Sequence, residues 1–178
     1  MTPEEIKQVN KTDRTKGYTP WKPIVLEQIR TELAQCKKEK AYVLDYGAGV
    51  ALPHIKLLRK LFPQHHFDAY DCGKNVTDSH VRSLQRDFYD FVFASNVLNI
   101  LPHAKIVVNV LDEMLDALKG DGILVCNFSS NPRKPWHKLS YRGGSAELFR
   151  MLNKRFATVR LLNDNMISPL FGCAYKFT

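Results

Sequence analysis

The stretch AYVLDYGAGVA, residues 41–51, constrains the fold of this chain more than any other part of it. An apolar run leads through Asp45 into a Gly-Ala-Gly turn, and a helical pattern then opens at Leu52 and Pro53. This order predicts a β-strand, a tight turn and an α-helix. Glycine suits a reversal that needs positive φ or a close approach to the backbone. Proline is tolerated in the first turn of a helix, where its missing N–H costs nothing.

Two interpretations of the turn are open at this point. The first is an ordinary connection between a strand and a helix, which would use the same glycines. The second is a ligand cradle, in which a bound group lies against residues 47–49. That group would face the free N–H groups and the positive dipole end of the following helix. The rest of the chain has to decide between them.

Length and composition fit one domain with a full core. The chain has 178 residues, with 44% apolar and 25% charged side chains, both ordinary values for a globular protein. We therefore expect a single domain over residues 1–178, with a basic arm at 1–22 and an α/β core at 23–178. No apolar run approaches the ~20 residues of a membrane span, and the acidic, polar start MTPEE does not resemble a signal peptide. We expect a cytoplasmic protein with no membrane partner.

The four cysteines are scattered and form no C-x-x-C pair; they are Cys36, Cys72, Cys126 and Cys173. Most of them lie in apolar or strand-like surroundings. This pattern predicts buried, reduced thiols and no metal site.

Hydrophobic periodicity divides the rest of the chain into alternating elements. It predicts helices near 22–38, 52–62 and 103–119, and another that opens with Ser145 as its N-cap. Gly120 or Gly122 is available as a C-cap for the third helix. The predicted strands are 41–46, 67–71, 88–94, 123–128, 158–162 and 172–177. The last two are joined by so short a connection that we expect an antiparallel hairpin.

The segment 72–89 is too short for a helix, a strand and another helix, so one edge strand of the sheet should be reduced or absent. Asp71 precedes this segment, at the end of the second predicted strand and 22 positions after Gly49. In nucleotide-binding α/β folds, an acidic residue at that distance accepts hydrogen bonds from ribose hydroxyls.

Four motifs in order resemble those of the class I S-adenosylmethionine-dependent methyltransferases. They are VLDYGAG at 43–49, Asp71, DFVFASNVL at 90–98, and LKGDGIL at 118–124 with Asp121 in place of one glycine. The resemblance extends from residue 41 to the C-terminus, and the basic arm resembles a bacterial and phage-type subgroup. It implies a Rossmann-like sheet with helices on both faces, mostly parallel with an antiparallel C-terminal strand.

The resemblance also implies a cofactor, S-adenosyl-L-methionine, bound across the carboxyl ends of the strands. The backbone of residues 47–49 would pass under its methionine part and ribose, and Asp45 would lie near its amino group. Ser95 and Asn96 would line the side where the methyl group leaves. The complete implied set of cofactor-binding residues is Asp45, Tyr46, Gly47, Ala48, Gly49, Asp71 (for the ribose hydroxyls), Cys72 (beside the adenine), Ser95 and Asn96.

A methyl group on a sulfonium is already activated, so such an enzyme mainly has to align its acceptor. A general base is needed only where the acceptor must first lose a proton. His103 and His137 are candidates near the mouth of the implied pocket, although either could be an ordinary surface histidine. The catalytic residue therefore stays unknown.

The familiar DNA methylation motifs are missing. Methyltransferases that act on exocyclic amines of DNA carry an N-P-P-Y-like tetrapeptide after the fourth strand, where this chain has SNVL at 95–98. A cytosine-carbon methylase would need a Pro-Cys pair, and the sequence contains none. DNA methylation by these routes is therefore disfavoured.

The charge distribution favours an anionic acceptor. The formal net charge is +8, and eight basic residues lie in the segment 131–160 against Glu147 alone. Basic and aromatic side chains suit phosphate contacts and base stacking. The candidate substrate-binding residues are Tyr18 in the arm, and Arg133, Lys134, Trp136 and Tyr141. We expect nucleic acid as the acceptor, RNA before DNA. The alternatives are a small-molecule methyltransferase with 131–144 as a lid, and a non-catalytic binding or scaffold protein.

Overall fold

The computed structural model describes residues 2–4, 6–7, 23–49, 52–71, 76–128, 144–163 and 169–177. Residues 3–4 and 6–7 are helical. The helices with fully described bounds are α1 (Pro23–Gln35), α2 (Pro53–Leu61), α3 (Ala104–Ala117) and α4 (Gly144–Asn153), with a 3₁₀ turn at Leu98–Ile100. The strands are β1 (Tyr42–Tyr46), β2 (His66–Tyr70), β3 (Tyr89–Ala94), β4 (Leu118–Asn127), β5 (Phe156–Leu161) and β6 (Leu170–Lys176).

The strands form one sheet in the order β2-β1-β3-β4-β6-β5. β1 pairs in parallel with β2 and β3, and β3 pairs in parallel with β4. β6 runs antiparallel to both β4 and β5. The mostly parallel sheet with an antiparallel C-terminal strand is therefore confirmed, and so is the closing antiparallel hairpin.

Alternate side chains of the parallel strands enter two separate cores, as expected when helices cover both faces of a sheet. Val43, Phe67 and Phe93 pack with α1 and α2 on one face. Leu44 and Val92 pack with α3 and α4 on the other. This arrangement confirms the Rossmann-like layers that the resemblance implied.

The predicted loss of an edge strand is also confirmed, because residues 76–88 form neither a helix nor a strand. β2 is consequently the edge of the sheet. Two carbonyl groups of β2 accept hydrogen bonds from other parts of the chain. The Val81 N–H donates to the Ala69 oxygen over 2.9 Å, and Arg59 Nη2 donates to the Phe67 oxygen over 2.5 Å.

Two helix ends differ from the prediction. α3 passes into β4 without a glycine cap, because Leu118 is extended (φ −79°, ψ 138°) and buried at 1% exposure. Gly120 and Gly122 lie inside β4, so burial of Leu118 beside β3 overrides the local glycine signal. α4 begins at Gly144, where φ is +77°, so Ser145 lies inside its first turn and is not the N-cap.

A buried carboxylate anchors the amino ends of the strands, opposite the predicted site. Asp90 Oδ1 accepts hydrogen bonds from Lys38 Nζ (2.6 Å) and Lys119 Nζ (2.9 Å), and its Oδ2 accepts one from the Tyr42 N–H (2.8 Å). Burial raises the pKa of Asp90, but these donors outweigh it and hold the pKa below the ordinary value. Asp90 therefore has a structural role, although it lies in one of the motifs of the resemblance.

Two of the predicted buried thiols are confirmed. Cys126 in β4 and Cys173 in β6 are each 1% exposed and unoxidised, whereas Cys36 is half-buried. Burial raises the pKa of Cys126 to about 12, so this thiol is unreactive at neutral pH. Cys72 lies outside the described residues. No helix in the described part of the chain is long and apolar enough to span a membrane.

Candidate active site

The carboxyl ends of β1, β2, β3 and β4 meet at one edge of the sheet, which is where open α/β sheets bind ligands. The turn at 47–49 follows β1, Asp71 follows β2, and Ser95 and Asn96 follow β3. The topology thus gathers residues that are far apart in the sequence.

The glycine turn is attached to the end of β2. The N–H groups of Gly47 and Ala48 both donate to the Tyr70 carbonyl oxygen, over 2.8 and 3.1 Å. Gly47 has φ +75° and Gly49 has φ +68°, values that residues with a side chain rarely adopt. The turn therefore needs glycine at both positions.

At Gly47, the space that a Cβ would occupy is filled by another part of the protein. A Cβ built there would collide with Cγ2 of Val97 and lie 3.4 Å from its Cγ1. The expectation that this missing Cβ leaves room for a ligand is therefore wrong at Gly47. Glycine instead lets the loop after β3 pack against the turn.

Gly49 is held from two sides. Its N–H donates to Asp71 Oδ2 over 3.2 Å, and its carbonyl oxygen lies 2.9 Å from Nε2 of His80. Nδ1 of His80 lies 3.2 Å from the Thr77 backbone nitrogen. Because that N–H can only donate, Nδ1 accepts, so Nε2 carries the proton and donates to Gly49. His80 is 5% exposed, so its hydrogen bond to Gly49 is shielded from solvent and fixes the backbone of the turn.

Asp45 is a buried carboxyl group beside this turn. It is 3% exposed, and Ala69 and Phe93 are its neighbours across the sheet. Within the described residues its Oδ1 has no hydrogen-bond partner. Burial, together with the charge of Asp71, raises the pKa of Asp45 to about 8. A buried carboxyl with an unsatisfied oxygen suits a cationic group such as an ammonium.

Two asparagines join the ends of β3 and β4. The Asn96 N–H donates to Asn127 Oδ1 over 2.6 Å, and Asn127 Nδ2 donates to Asn96 Oδ1 over 3.0 Å. Asn96 has φ +58°, and Asn127 is 1% exposed. The buried Ser95 Oγ has no partner among the described residues.

The side chain of Tyr46 does not face the site. It is 1% exposed in the core under α3, where its hydroxyl donates to Glu113; the hydroxyl of Tyr70 donates to the same carboxylate over 3.2 Å. Only the backbone of Tyr46 belongs to the turn.

A cleft of about 590 Å³ lies nearby, lined by Tyr70, the loop 82–86 and polar residues of α3. It contains none of the residues at 45–49 or 95–96. It lies between the end of β2, the loop 82–86 that follows it, and α3. We therefore do not identify this cleft with the predicted cofactor site.

His103 is exposed at the residue before α3, and its carbonyl oxygen accepts from the N–H groups of Ile106 and Val107. In the basic segment, Arg150, Lys154 and Arg160 are exposed, whereas Arg155 Nε pairs with Asp112 over 2.8 Å. The remaining predicted positions lie outside the described residues: Tyr18, Cys72, Arg133, Lys134, Trp136, His137 and Tyr141.

Sequence reasoning missed His80 and Asn127. Neither belongs to a recognisable motif, and each reaches a partner 31 positions away. A polar residue at the end of the buried strand β4 is the only signal that could have indicated Asn127.

Several solved structures with a similar fold are methyltransferases. An S-adenosylmethionine-dependent methyltransferase from Aquifex aeolicus aligns over 100% of both chains, with a TM-score of 0.56 and 18% identity. The 16S rRNA N2 G1207 methyltransferase RsmC of T. thermophilus, in complex with AdoMet and guanosine, has a TM-score of 0.59 and 13% identity over 91% of this chain and 40% of RsmC. Phosphoethanolamine N-methyltransferase 2 of Haemonchus contortus, with bound S-adenosyl-L-methionine, has a TM-score of 0.63 and 11% identity over 97% of this chain and 57% of its own.

The chain has the fold of the class I S-adenosylmethionine-dependent methyltransferases. It spans about half the length of the last two neighbours. No protein-family model and no curated protein matches it by sequence.

Proposed function

We propose that this protein transfers a methyl group from S-adenosyl-L-methionine to a nucleic acid, RNA before DNA. The observation that carries the proposal is the turn at 47–49, braced by Asp71 and His80 beside the buried Asp45. It occupies the ligand-binding edge of a methyltransferase fold.

The described residues fit the cofactor. Asp45 would meet its ammonium group, because the unpartnered Oδ1 is a buried acceptor that needs a donor. Asp71 would accept the ribose hydroxyls while its Oδ2 keeps the turn in place. The backbone of 46–49 would line the methionine part, and Ser95 and Asn96 would line the side of methyl transfer. Cys72, which lies outside the described residues, would line the adenine.

The bound cofactor would supply an activated methyl group, and the protein would mainly orient the acceptor. We assign no catalytic base. His103 and His137 stay candidates for acceptors that must lose a proton.

The choice of nucleic acid rests on charge. Three basic residues are exposed in this region: Arg150 in α4, Lys154 directly after α4, and Arg160 in β5. The segment 131–144 and the basic arm would extend it with Tyr18, Arg133, Lys134, Trp136 and Tyr141. Such groups bind phosphates and stack on bases. The neighbour RsmC, which acts on 16S rRNA, lends the choice some support.

A small-molecule acceptor is the second candidate, favoured by the similarity to a phosphoethanolamine methyltransferase. Transfer of labelled methyl to fractionated cell RNA, DNA, protein and metabolites separates the two. We expect label in RNA, with binding that weakens steeply as salt rises. Label in the metabolite fraction would support the second candidate. Failure to bind S-adenosyl-L-methionine in calorimetry would leave a non-catalytic binding or scaffold protein.

A further inference from the structure

The amide orientations of Asn96 and Asn127 are fixed by their own hydrogen bonds. The backbone N–H of Asn96 can only donate, so the Asn127 atom 2.6 Å from it must be the oxygen. The other end of the Asn127 amide is then the nitrogen, which donates over 3.0 Å to Asn96. The Asn96 atom that receives this bond must in turn be its oxygen.

This pairing uses one lone pair of each amide oxygen and leaves the donors of Asn96 Nδ2 unused. Asn96 Nδ2 carries two N–H groups, and no group among the described residues accepts from them. Asn96 is partly exposed, whereas Asn127 is 1% exposed. Asn96 is therefore the more accessible member of the pair, and its nitrogen holds the unused donors.

The pair lies beside the glycine turn. Asn96 follows β3, and the next residue, Val97, packs against Gly47. Asn127 is the last residue of β4. Asn96 has φ +58°, a conformation that asparagine tolerates better than most residues, and the buried Asn127 holds it in place.

We propose that Asn127 is a positioning residue that holds Asn96 with its amide N–H groups toward the methyl acceptor, and that the accepting atom is a ring nitrogen or an oxygen with a free lone pair. This inference rests on the proposed methyl transfer. An amine acceptor brings N–H groups of its own, which would face the donors of Asn96 without a partner. An accepting oxygen would also accept from them through its second lone pair. Beside a reacting ring nitrogen, a neighbouring carbonyl oxygen would accept instead, because the lone pair of that nitrogen forms the bond to the methyl carbon.

The transfer balances without a base. The lone pair of the acceptor forms a bond to the methyl carbon, the carbon–sulfur bond breaks, and its electron pair stays on sulfur, which becomes a neutral thioether. With a neutral ring nitrogen the positive charge moves to the ring, and no proton leaves. With an anionic oxygen the two charges cancel.

Asn127→Asp tests the positioning role with almost no change of shape. In its ionised form, at alkaline pH, the carboxyl group still accepts from the Asn96 N–H but can no longer donate to Asn96 Oδ1. The Asn96 side chain should therefore turn over, donate through Nδ2 to the carboxylate and present its oxygen instead. We expect cofactor affinity within about 2-fold of wild type and methyl transfer reduced about 10-fold or more, the factor that corresponds to one lost hydrogen bond. Gln35→Glu, at the exposed end of α1, is the control for adding a carboxylate and should change neither quantity.

The rotation of the Asn96 side-chain amide can be detected by spectroscopy without knowing the methyl acceptor. In wild type, the side-chain amide protons of Asn96 should exchange quickly with solvent in nuclear magnetic resonance spectra. In Asn127→Asp, one of them should become protected and shifted. Unchanged Asn96 amide signals would overturn the positioning role.

The acceptor atom is tested by digesting whichever fraction takes up labelled methyl and identifying the modified atom. Methyl on a ring nitrogen or an oxygen supports the inference, whereas methyl on an exocyclic or aliphatic amine overturns it. Label outside RNA and DNA overturns only the nucleic-acid assignment, because the modified atom can still be read. If no fraction accepts methyl, the proposed function fails, and the amide signals alone decide the role of Asn127.

Discussion

The backbone N–H of Gly49 donates to Oδ2 of Asp71 over 3.2 Å, so the residue proposed to bind ribose also holds the glycine turn. The contact joins the end of β2 to the start of the connection between β1 and α2. One carboxylate thus connects the shape of the turn with the recognition of its proposed ligand.

Asp71→Ala should weaken the binding of S-adenosyl-L-methionine by ~1–3 kcal/mol, the range for hydrogen bonds to a charged group. Isothermal titration calorimetry measures the change directly. Asp78→Ala is the control, because Asp78 is fully exposed and contacts only Arg82 within the described part of the chain. Equal affinity in the wild type and Asp71→Ala would mean that the proposed pocket is misplaced.

His80→Leu should lower cofactor affinity by ~1 kcal/mol or more, because the Gly49 carbonyl oxygen loses its buried donor. His80→Gln retains a side-chain N–H and should recover part of the loss. His66→Gln serves as control, since the His66 side chain is 47% exposed on the edge strand. If His80→Leu and His80→Gln bind the cofactor equally well, the hydrogen bond does not position the turn.

Because of Asp45, the free energy of unfolding should fall as the pH rises. Its pKa in the folded protein is raised to about 8, against about 4 for an ordinary aspartate. Between these values the folded state holds a proton that the unfolded state has released, so the stabilisation is complete below about pH 4 and lost through about pH 8. Denaturant unfolding between pH 5 and pH 9 should show this slope in wild type and a weaker one in Asp45→Asn. An identical slope in both proteins would contradict the assignment.

The same carboxyl group should couple cofactor binding to proton release. An ammonium group near Asp45 favours the ionised carboxylate, so binding near pH 7 should release a proton and affinity should rise toward pH 8. Calorimetry in two buffers with different ionisation enthalpies measures the number of protons released. A binding enthalpy that does not depend on the buffer would contradict a position of the ammonium group near Asp45.

Asp90→Asn should destabilise the protein by ~2–3 kcal/mol at pH 7, because it leaves Lys38 and Lys119 without their buried partner. The pKa of Asp90 is lowered in the folded state, so its stabilisation is present above the ordinary aspartate pKa and lost as pH falls through the lowered value. Urea unfolding at pH 7 and in acid should show the difference from wild type shrinking at low pH. Asp121→Asn, at a 63% exposed partner of Lys38, should cost less than ~1 kcal/mol.

The sequence predicts the elements whose signal is local. The apolar run of β1 and the shortness of the segment 72–89 are visible in consecutive residues, and the structure agrees with both. The end of α3 differs because burial of Leu118 outweighs the glycines that follow it.

The parts of the site that sequence reasoning missed depend on distant contacts. His80 bonds to Gly49 and Asn127 bonds to Asn96, each 31 positions away in the sequence. Apart from the position of Asn127 at the end of a buried strand, no local pattern marks these residues, because their partners come together only when the sheet forms.

The hydrogen bonds from Arg59 and Val81 to the carbonyl groups of β2 have a consequence for association between molecules. A sheet that loses its outermost strand normally leaves a template on which another chain can pair. Here an incoming strand would first have to displace both donors. These two hydrogen bonds therefore disfavour the pairing of a strand from another molecule with β2. Such pairing is expected instead at β5, the opposite edge of the sheet.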